Sequence, residues 1–180
     1  MGYFDYEKAR KVYSTEETML TILDALYSVD EYHLLRDSKV DVNSAFFRHI
    51  PENAAQYRKW LTICEGGRLF STDLLSVSDF DDEMKLGFST LKEINQKSIY
   101  AEFGLPTGYF VIAVLNYGAV VCLSYVDEKI YLWDTDNREF DTIWESFYDF
   151  LADEYNTAFD MIDDDILKPI PIKLLYGENE

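Results

Sequence analysis

The chain has 180 residues, of which 48% are hydrophobic and 16% aromatic, and this is ample apolar surface for an independently folded core. It carries 34 acidic and 16 basic residues, a net charge of −18, and residues 91–180 hold 18 of the acids and 6 of the bases, net −12. Such a field repels nucleic acid and anionic membranes, so we exclude both as partners and expect either a basic protein partner or an acidic surface that serves solubility alone.

The cysteine usage and the absence of a long apolar run predict the compartment. Cys64 and Cys122 both lie inside apolar patterns, and neither belongs to a CxxC motif. No run reaches the roughly 18 apolar residues that a membrane span needs, and the first residues lack the pattern of a secretory signal. We therefore expect a soluble, cytoplasmic protein with reduced thiols, built as a single domain over residues 1–180.

The first third of the chain predicts one well-marked helix. Ser14 and Glu17 have the spacing of a capping box, and apolar residues at helical spacing follow from Met19 to Tyr27. The region around Tyr32, Leu34 and Leu35 is less regular, and its pattern suits a short helix or a turn.

The middle of the chain predicts two further helices. Pro51 suits a first helical turn, and Tyr57, Trp60, Leu61 and Cys64 then form one apolar stripe, which Glu65-Gly66-Gly67 ends as a helix C-cap. The pattern predicts extended chain from Arg68 to Val77 and an acidic loop from Asp79 to Lys85. A helix is predicted from about Thr90 to Phe103, because Gly104 and Pro106 follow it.

The second half predicts an antiparallel meander and a closing helix. The runs 109–115, 120–126 and 130–134 are rich in Val, Ile, Leu and Tyr and are separated by short polar turns. Residues Ile143 to Tyr155 then show helical spacing. Pro169 and Pro171 exclude a helix in the tail and predict an extended segment there. The fold class predicted is α+β.

The residues offer no clear catalytic or metal-binding constellation, so we predict neither an enzyme nor a cofactor. Asp134, Asp136 and Glu145 match three positions of a calcium loop, but Arg138 and Glu139 stand where a ligand and a glycine are needed. The two cysteines lie on faces predicted to be buried, where a thiol behaves as a small apolar group.

Partner binding is therefore the favoured class of function. The acidic second half supplies the candidate contact residues, which are Asp134, Asp136, Asp163, Asp164 and Asp165. Acids interleaved with aromatic side chains are typical of a surface that meets a basic protein.

Three motifs in order resemble the SUKH superfamily, also called the SMI1/KNR4 family. The first is the helix from Tyr57 to Leu61 that runs into Gly66-Gly67, where Glu65 stands in place of the family's usual Asn. The second is the strand Ile130-Tyr131-Leu132-Trp133-Asp134. The third is the Ser-Phe-x-x-Phe-Leu step at Ser146, Phe147 and Phe150.

The resemblance covers about residues 51–155 and leaves 156–180 as a C-terminal extension. It implies an antiparallel sheet flanked by helices, no catalytic residues, and Gly66, Gly67, Trp133, Ser146, Phe147 and Phe150 as structural signatures. Bacterial members are commonly immunity proteins, which implies binding and neutralising a cognate toxin, possibly a nuclease. The alternative is a general interaction or scaffold module on the same fold.

Overall fold

The computed structural model describes residues 4–29, 32–36, 38–77 and 90–161, and for Ser98 it describes the backbone alone. The six α-helices of this part of the chain are α1 (Tyr6–Val12), α2 (Thr15–Tyr27), α3 (Ala55–Leu61), α4 (Leu91–Ile94), α5 (Lys97–Glu102) and α6 (Phe147–Met161). The seven strands are β1 (His33–Arg36), β2 (Cys64–Leu69), β3 (Thr72–Leu74), β4 (Tyr109–Leu115), β5 (Val120–Ser124), β6 (Ile130–Asp134) and β7 (Glu139–Trp144). The predicted α+β class is confirmed.

The chain divides into two compact units, one formed by residues 1–33 and 148–180 and the other by residues 34–147. The first unit contains α1, α2 and all of α6 except its first residue, Phe147. Asn156 of α6 bonds both backbone groups of Phe4, accepting from its N–H at 2.9 Å and donating to its carbonyl at 3.2 Å. The rings of Phe4 and Tyr155 meet edge to face at 5.8 Å. A pair of hydrogen bonds and an aromatic contact thus tie the N-terminal segment to the last helix.

The predicted capping box at the start of α2 is confirmed. The Ser14 hydroxyl accepts from the Glu17 backbone, and the Glu17 carboxylate accepts from the Ser14 N–H at 3.1 Å. These bonds satisfy two donors that a helix start otherwise leaves unpaired. Helix α1 was not predicted, and its start is marked by Asp5, whose side chain accepts from the backbone of Lys8.

The second unit is built on the sheet, whose strands lie in the order β1 to β7 along the chain. The pairings from β2 through β7 are all antiparallel, so the predicted meander is confirmed and extends to both sides. Strands β4 and β5 form its buried centre, and every residue of β5 is buried. Val111 and Cys122 are opposite one another in this central pair.

The predicted helix around Trp60 needs correction at its C-terminal end, because α3 ends at Leu61. Cys64, Gly66 and Gly67 do not extend or cap α3, because they lie in β2, where Gly67 is paired with Leu74. A side chain on Gly66 would place its Cβ 2.7 Å from the Leu74 carbonyl oxygen. The glycine therefore allows a close approach of two backbone segments and does not reverse the chain.

The predicted single helix 90–103 is two short helices. Asn95 follows α4, and its side chain is bonded to the backbone of Val111 on β4, so the helical run is interrupted there. Gln96 is the N-cap of α5, which begins at Lys97.

Two other segments are strands where another structure was predicted. The region of Leu34 and Leu35 is strand β1 and not a short helix or turn. Ile143 and Trp144 end β7, where they are paired with Tyr131 and Ile130, and α6 begins only at Phe147. Pairing with β6 thus overrides the helical spacing at Ile143 and Trp144, because β-propensity depends strongly on cross-strand neighbours. The predicted loop 79–85 and the extended segment at Pro169 and Pro171 lie outside the described residues.

Candidate functional site

The turn between β6 and β7 brings together two of the predicted partner-binding residues, Asp134 and Asp136. The Asp134 carboxylate accepts from the backbone N–H groups of Asp136 at 2.8 Å and Asn137 at 3.0 Å, and from the Asn137 side chain at 2.7 Å. These bonds, chiefly those from Asn137, lower the pKa of Asp134 below its ordinary value. Asp134 thus builds the turn, whereas the Asp136 side chain is exposed.

Beyond the turn, strand β7 adds two more exposed acids, Glu139 and Asp141. We call Asp136, Glu139 and Asp141 the acidic edge, because they lie on β7, the last strand of the described sheet, and on the turn before it. None of the three has an ion pair with any residue that the structure describes. Their charges are therefore available to a partner.

The surroundings of the acidic edge are themselves acidic. Residues 127–145 contain seven acids and two bases, a net charge of −5 in 19 positions. One of the two bases, Lys129, pairs with Glu145 at 2.7 Å. The pair is exposed and contributes little to stability, so it leaves the negative sign of the region intact.

An aromatic patch lies on one face of the sheet beside these acids. It consists of Tyr109, Tyr131 and Phe140, whose ring centroids are 4.8 to 5.3 Å apart, and all three side chains are half-buried. Ile143, opposite Tyr131 in the ladder, is 53% exposed. The described surface therefore combines large apolar side chains with an acidic border.

The hydroxyl of Tyr131 connects the patch to the acids. It donates to a carboxylate oxygen of Asp127 at 3.0 Å. Burial, together with this carboxylate, raises the pKa of Tyr131 to about 12. Tyr131 is therefore a neutral side chain at ordinary pH, fixed in place and able to offer its ring to a partner.

The residues named as structural signatures occupy positions in the core or next to it. Trp133 is 4% exposed, and its indole N–H donates to the Phe103 carbonyl at 2.9 Å. The Phe147 ring meets those of Tyr57 and Trp60 at 5.0 and 5.7 Å. Gly66 and Gly67 lie in β2. Ser146 lies directly before α6, and the buried Phe150 lies within α6.

The predicted contact residues Asp163, Asp164 and Asp165 lie outside the described residues. Glu139 and Asp141 were missed, because the residues from Ile143 onward were assigned to a helix and β7 was not predicted. The alternation of acidic and aromatic residues at Glu139, Phe140 and Asp141 was the signal that could have found them.

The two thiols are unsuited to nucleophilic chemistry. Cys64 and Cys122 are fully buried. Burial raises the pKa of Cys64 to about 12 and also raises the pKa of Cys122, so neither forms a thiolate at neutral pH. Within the described ranges there is no cluster of three or more metal-ligating side chains. None of the helices in those ranges is both long and apolar enough to cross a bilayer.

A family model described as SMI1 / KNR4 family (SUKH-1) matches residues 55–153, which is more than half of the chain. The chain belongs to the SMI1/KNR4 family. The match confirms the predicted family and lies within the predicted motif-bearing region, about 51–155. No curated protein and no solved structure matches the chain.

This SMI1/KNR4 match runs from the first residue of α3 into the first half of α6. It thus includes the whole acidic edge and the whole aromatic patch. The candidate surface is therefore part of the family domain and not of the segments on either side of it.

Proposed function

We propose that this SMI1/KNR4 protein is a cytoplasmic immunity protein that binds a cognate protein toxin and neutralises it without a cofactor. Family membership supports the proposal, because domains of the family are known as immunity proteins and are generally non-catalytic. The buried thiols with raised pKa values agree with a function through binding.

The observation that carries the proposal is the position of the acidic edge beside the aromatic patch. Protein interfaces are typically built around aromatic anchors, with polar and charged groups at the rim. Tyr131 and Phe140 supply such anchors, and Asp136, Glu139 and Asp141 supply a rim of one sign. This arrangement fits a partner with an apolar centre bordered by Lys and Arg.

The negative charge of the rim supports one class of toxin, the nucleases. A nuclease must present a basic surface to its substrate, because binding a nucleic acid requires neutralising phosphates. An acidic protein that covers this surface blocks the substrate by occupying its binding site. Complementary charge also speeds the encounter, which an immunity protein needs when the toxin acts inside the same cell.

Capture from a lysate of the native host tests the proposal. The full chain is the bait, and bound proteins are eluted with a salt gradient. A matched pair of variants accompanies it: D136N/E139Q/D141N removes the acidic edge, and E7Q/E52Q/D160N removes three exposed acids elsewhere, so that both change the net charge by +3.

We expect one basic toxin domain that elutes late from the wild type and the control variant and early from the edge variant. The captured domain should arrest growth when expressed alone and should be harmless when co-expressed with the wild-type chain. Capture of several unrelated proteins, none of them toxic, would contradict the immunity function and support the scaffold alternative.

A further inference from the structure

A cleft of about 680 Å³ opens on the second unit, and Tyr109 is the residue that it shares with the aromatic patch. It lies between the start of β4, the helices α4 and α5, and the segment around Phe46 and His49. Its volume falls within the range of typical small-molecule sites, which is about 300 to 1,000 Å³. A cavity of this size can enclose a ligand of one or two rings.

The walls of the cleft are largely aromatic. Tyr100, Tyr109, Phe110 and Tyr125 all line it, and the rings of Phe110 and Tyr125 meet edge to face at 6.5 Å. Flat aromatic walls suit a flat apolar ligand, because ring contacts add to the free energy gained from burial alone.

Hydrogen bonds hold these walls in position. The Tyr125 hydroxyl donates to the His49 carbonyl at 3.2 Å and joins the two sides of the cleft. The Tyr100 hydroxyl lies 2.8 Å from the Pro106 carbonyl and 3.1 Å from the Tyr109 carbonyl. A preformed site of this kind loses less conformational entropy on binding than one that must be ordered first.

The charge in the cleft is opposite to that of the protein. Lys92 and Lys97 line it and are exposed, and neither has an ion pair with a described residue. Among the residues that the structure describes, no acidic side chain belongs to the lining. In a chain of net charge −18, two ammonium groups without an ion-pair partner among the described residues, at one aromatic cleft, form a local site for an anion.

We propose that the cleft binds a small planar organic anion, of the class of aromatic carboxylates. The carboxylate lies between Lys92 and Lys97, and the ring lies against Tyr109 and Tyr125. The anion binds without forming a covalent bond to the protein. The site uses two lysines and none of the three acids of the acidic edge, although it shares Tyr109 with the aromatic patch. Its test needs only this protein and a small probe, so the outcome does not depend on the toxin-binding proposal.

The experiment compares two probes of nearly the same shape, one negatively charged and one neutral. The full-length, isotope-labelled protein is titrated with 2-naphthoate and, separately, with its neutral isostere 2-naphthamide, and backbone amide shifts are followed by NMR. We expect saturable shifts at Lys92, Lys97, Tyr109 and Tyr125, with naphthoate bound about threefold to tenfold more tightly, as two exposed charge pairs contribute.

Two variants test whether Lys92 and Lys97 cause the tighter binding of naphthoate. K92Q/K97Q should bind both probes equally, whereas K11Q/K59Q, the same charge change outside the cleft, should keep the wild-type preference. Each of three results would overturn the proposal: shifts elsewhere on the protein, equal binding of both probes to the wild type, or displacement of naphthoate by hexaglutamate, which would assign the cleft to an acidic peptide.

Discussion

The side chain of Asn95 pairs with the backbone of Val111 as a neighbouring strand would. Its amide oxygen accepts from the Val111 N–H at 2.9 Å, and its amide nitrogen donates to the Val111 carbonyl at 2.8 Å. The same nitrogen lies 2.9 Å from the Leu91 carbonyl in α4. One side chain thus joins α4 to the central strand β4 and supports the cleft that these elements border.

Replacement of Asn95 by alanine should destabilise the protein. Asn95→Ala leaves two partly buried backbone groups of β4 without partners, and we expect a loss of about 1–3 kcal/mol in the free energy of unfolding. Denaturant unfolding measures the loss. Gln96→Ala is the control, because Gln96 is exposed and makes no side-chain cap bond. Equal stability of the two variants would show that the Asn95 bonds contribute nothing.

A side chain at Gly66 should destabilise the protein more than one at Gly108. Both glycines have positive φ angles, 148° and 99°, which strain any residue with a Cβ. A Cβ at Gly66 also meets the Leu74 carbonyl oxygen, whereas one at Gly108 meets nothing within 4 Å. Gly66→Ala should therefore cost about 1–3 kcal/mol more than Gly108→Ala, since the backbone must move to make room. Similar melting temperatures for both variants would contradict the close approach.

Two buried tyrosines should respond in opposite ways to loss of the hydroxyl. Among the described residues, the Tyr57 hydroxyl has no hydrogen-bond partner. The Tyr32 hydroxyl donates to the Glu154 carbonyl at 2.6 Å. Tyr57→Phe should leave stability unchanged or raise it, because an unpaired buried polar group is costly, whereas Tyr32→Phe should lose about 1 kcal/mol. Thermal unfolding of the two variants tests this prediction. A clear loss of stability in Tyr57→Phe would contradict it and would show that the hydroxyl has a partner such as a buried water.

Acid should weaken the β6–β7 turn through Asp134. Its pKa in the folded protein is lowered, because Asn137 and Asp136 donate to the ionised carboxylate. The folded state therefore binds fewer protons than the unfolded state. The contribution of Asp134 is fully present above the unfolded pKa of about 3.9 and is lost as pH falls through the lower folded pKa.

An NMR titration of the Asp134 carboxyl carbon checks this prediction. The pKa of Asp134 in the wild type should lie below that of an ordinary aspartate, and Asn137→Ala should raise it by removing a side-chain donor. An Asp134 pKa at or above the ordinary value in the wild type would mean that the turn bonds are not formed in solution.

The meander and the α2 helix could be predicted because their signals are local. The apolar runs of β4, β5 and β6 are separated by polar turns, and Ser14 and Glu17 have the spacing of a capping box. The structural reason for Gly66 could not be predicted, because it depends on Leu74, a residue of another strand. The break at Asn95 likewise depends on a backbone partner 16 positions away.

The candidate site was predicted only in part, because some of its residues are marked by local signals and others depend on strand pairing. Asp134 ends a clear strand and Asp136 follows it, so their place at a turn is readable from the sequence. Glu139 and Asp141 belong to β7, whose half-exposed pattern is weak and whose end, Ile143-Trp144, also fits the helix that follows. Which of these acids faces a neighbouring aromatic ring depends on strand register, and pairing across β6 and β7 sets that register.

The salt dependence of the association rate tests the central claim most directly. The captured toxin domain is mixed with the wild-type chain, with D136N/E139Q/D141N and with E7Q/E52Q/D160N in stopped flow, from about 50 to about 500 mM salt. We predict that association with the wild type slows steeply as salt rises. At low salt the edge variant should associate about three to ten times more slowly than the control variant. Equal association rates for the two variants, or rates of the wild type that do not change with salt, would contradict toxin recognition through the acidic edge.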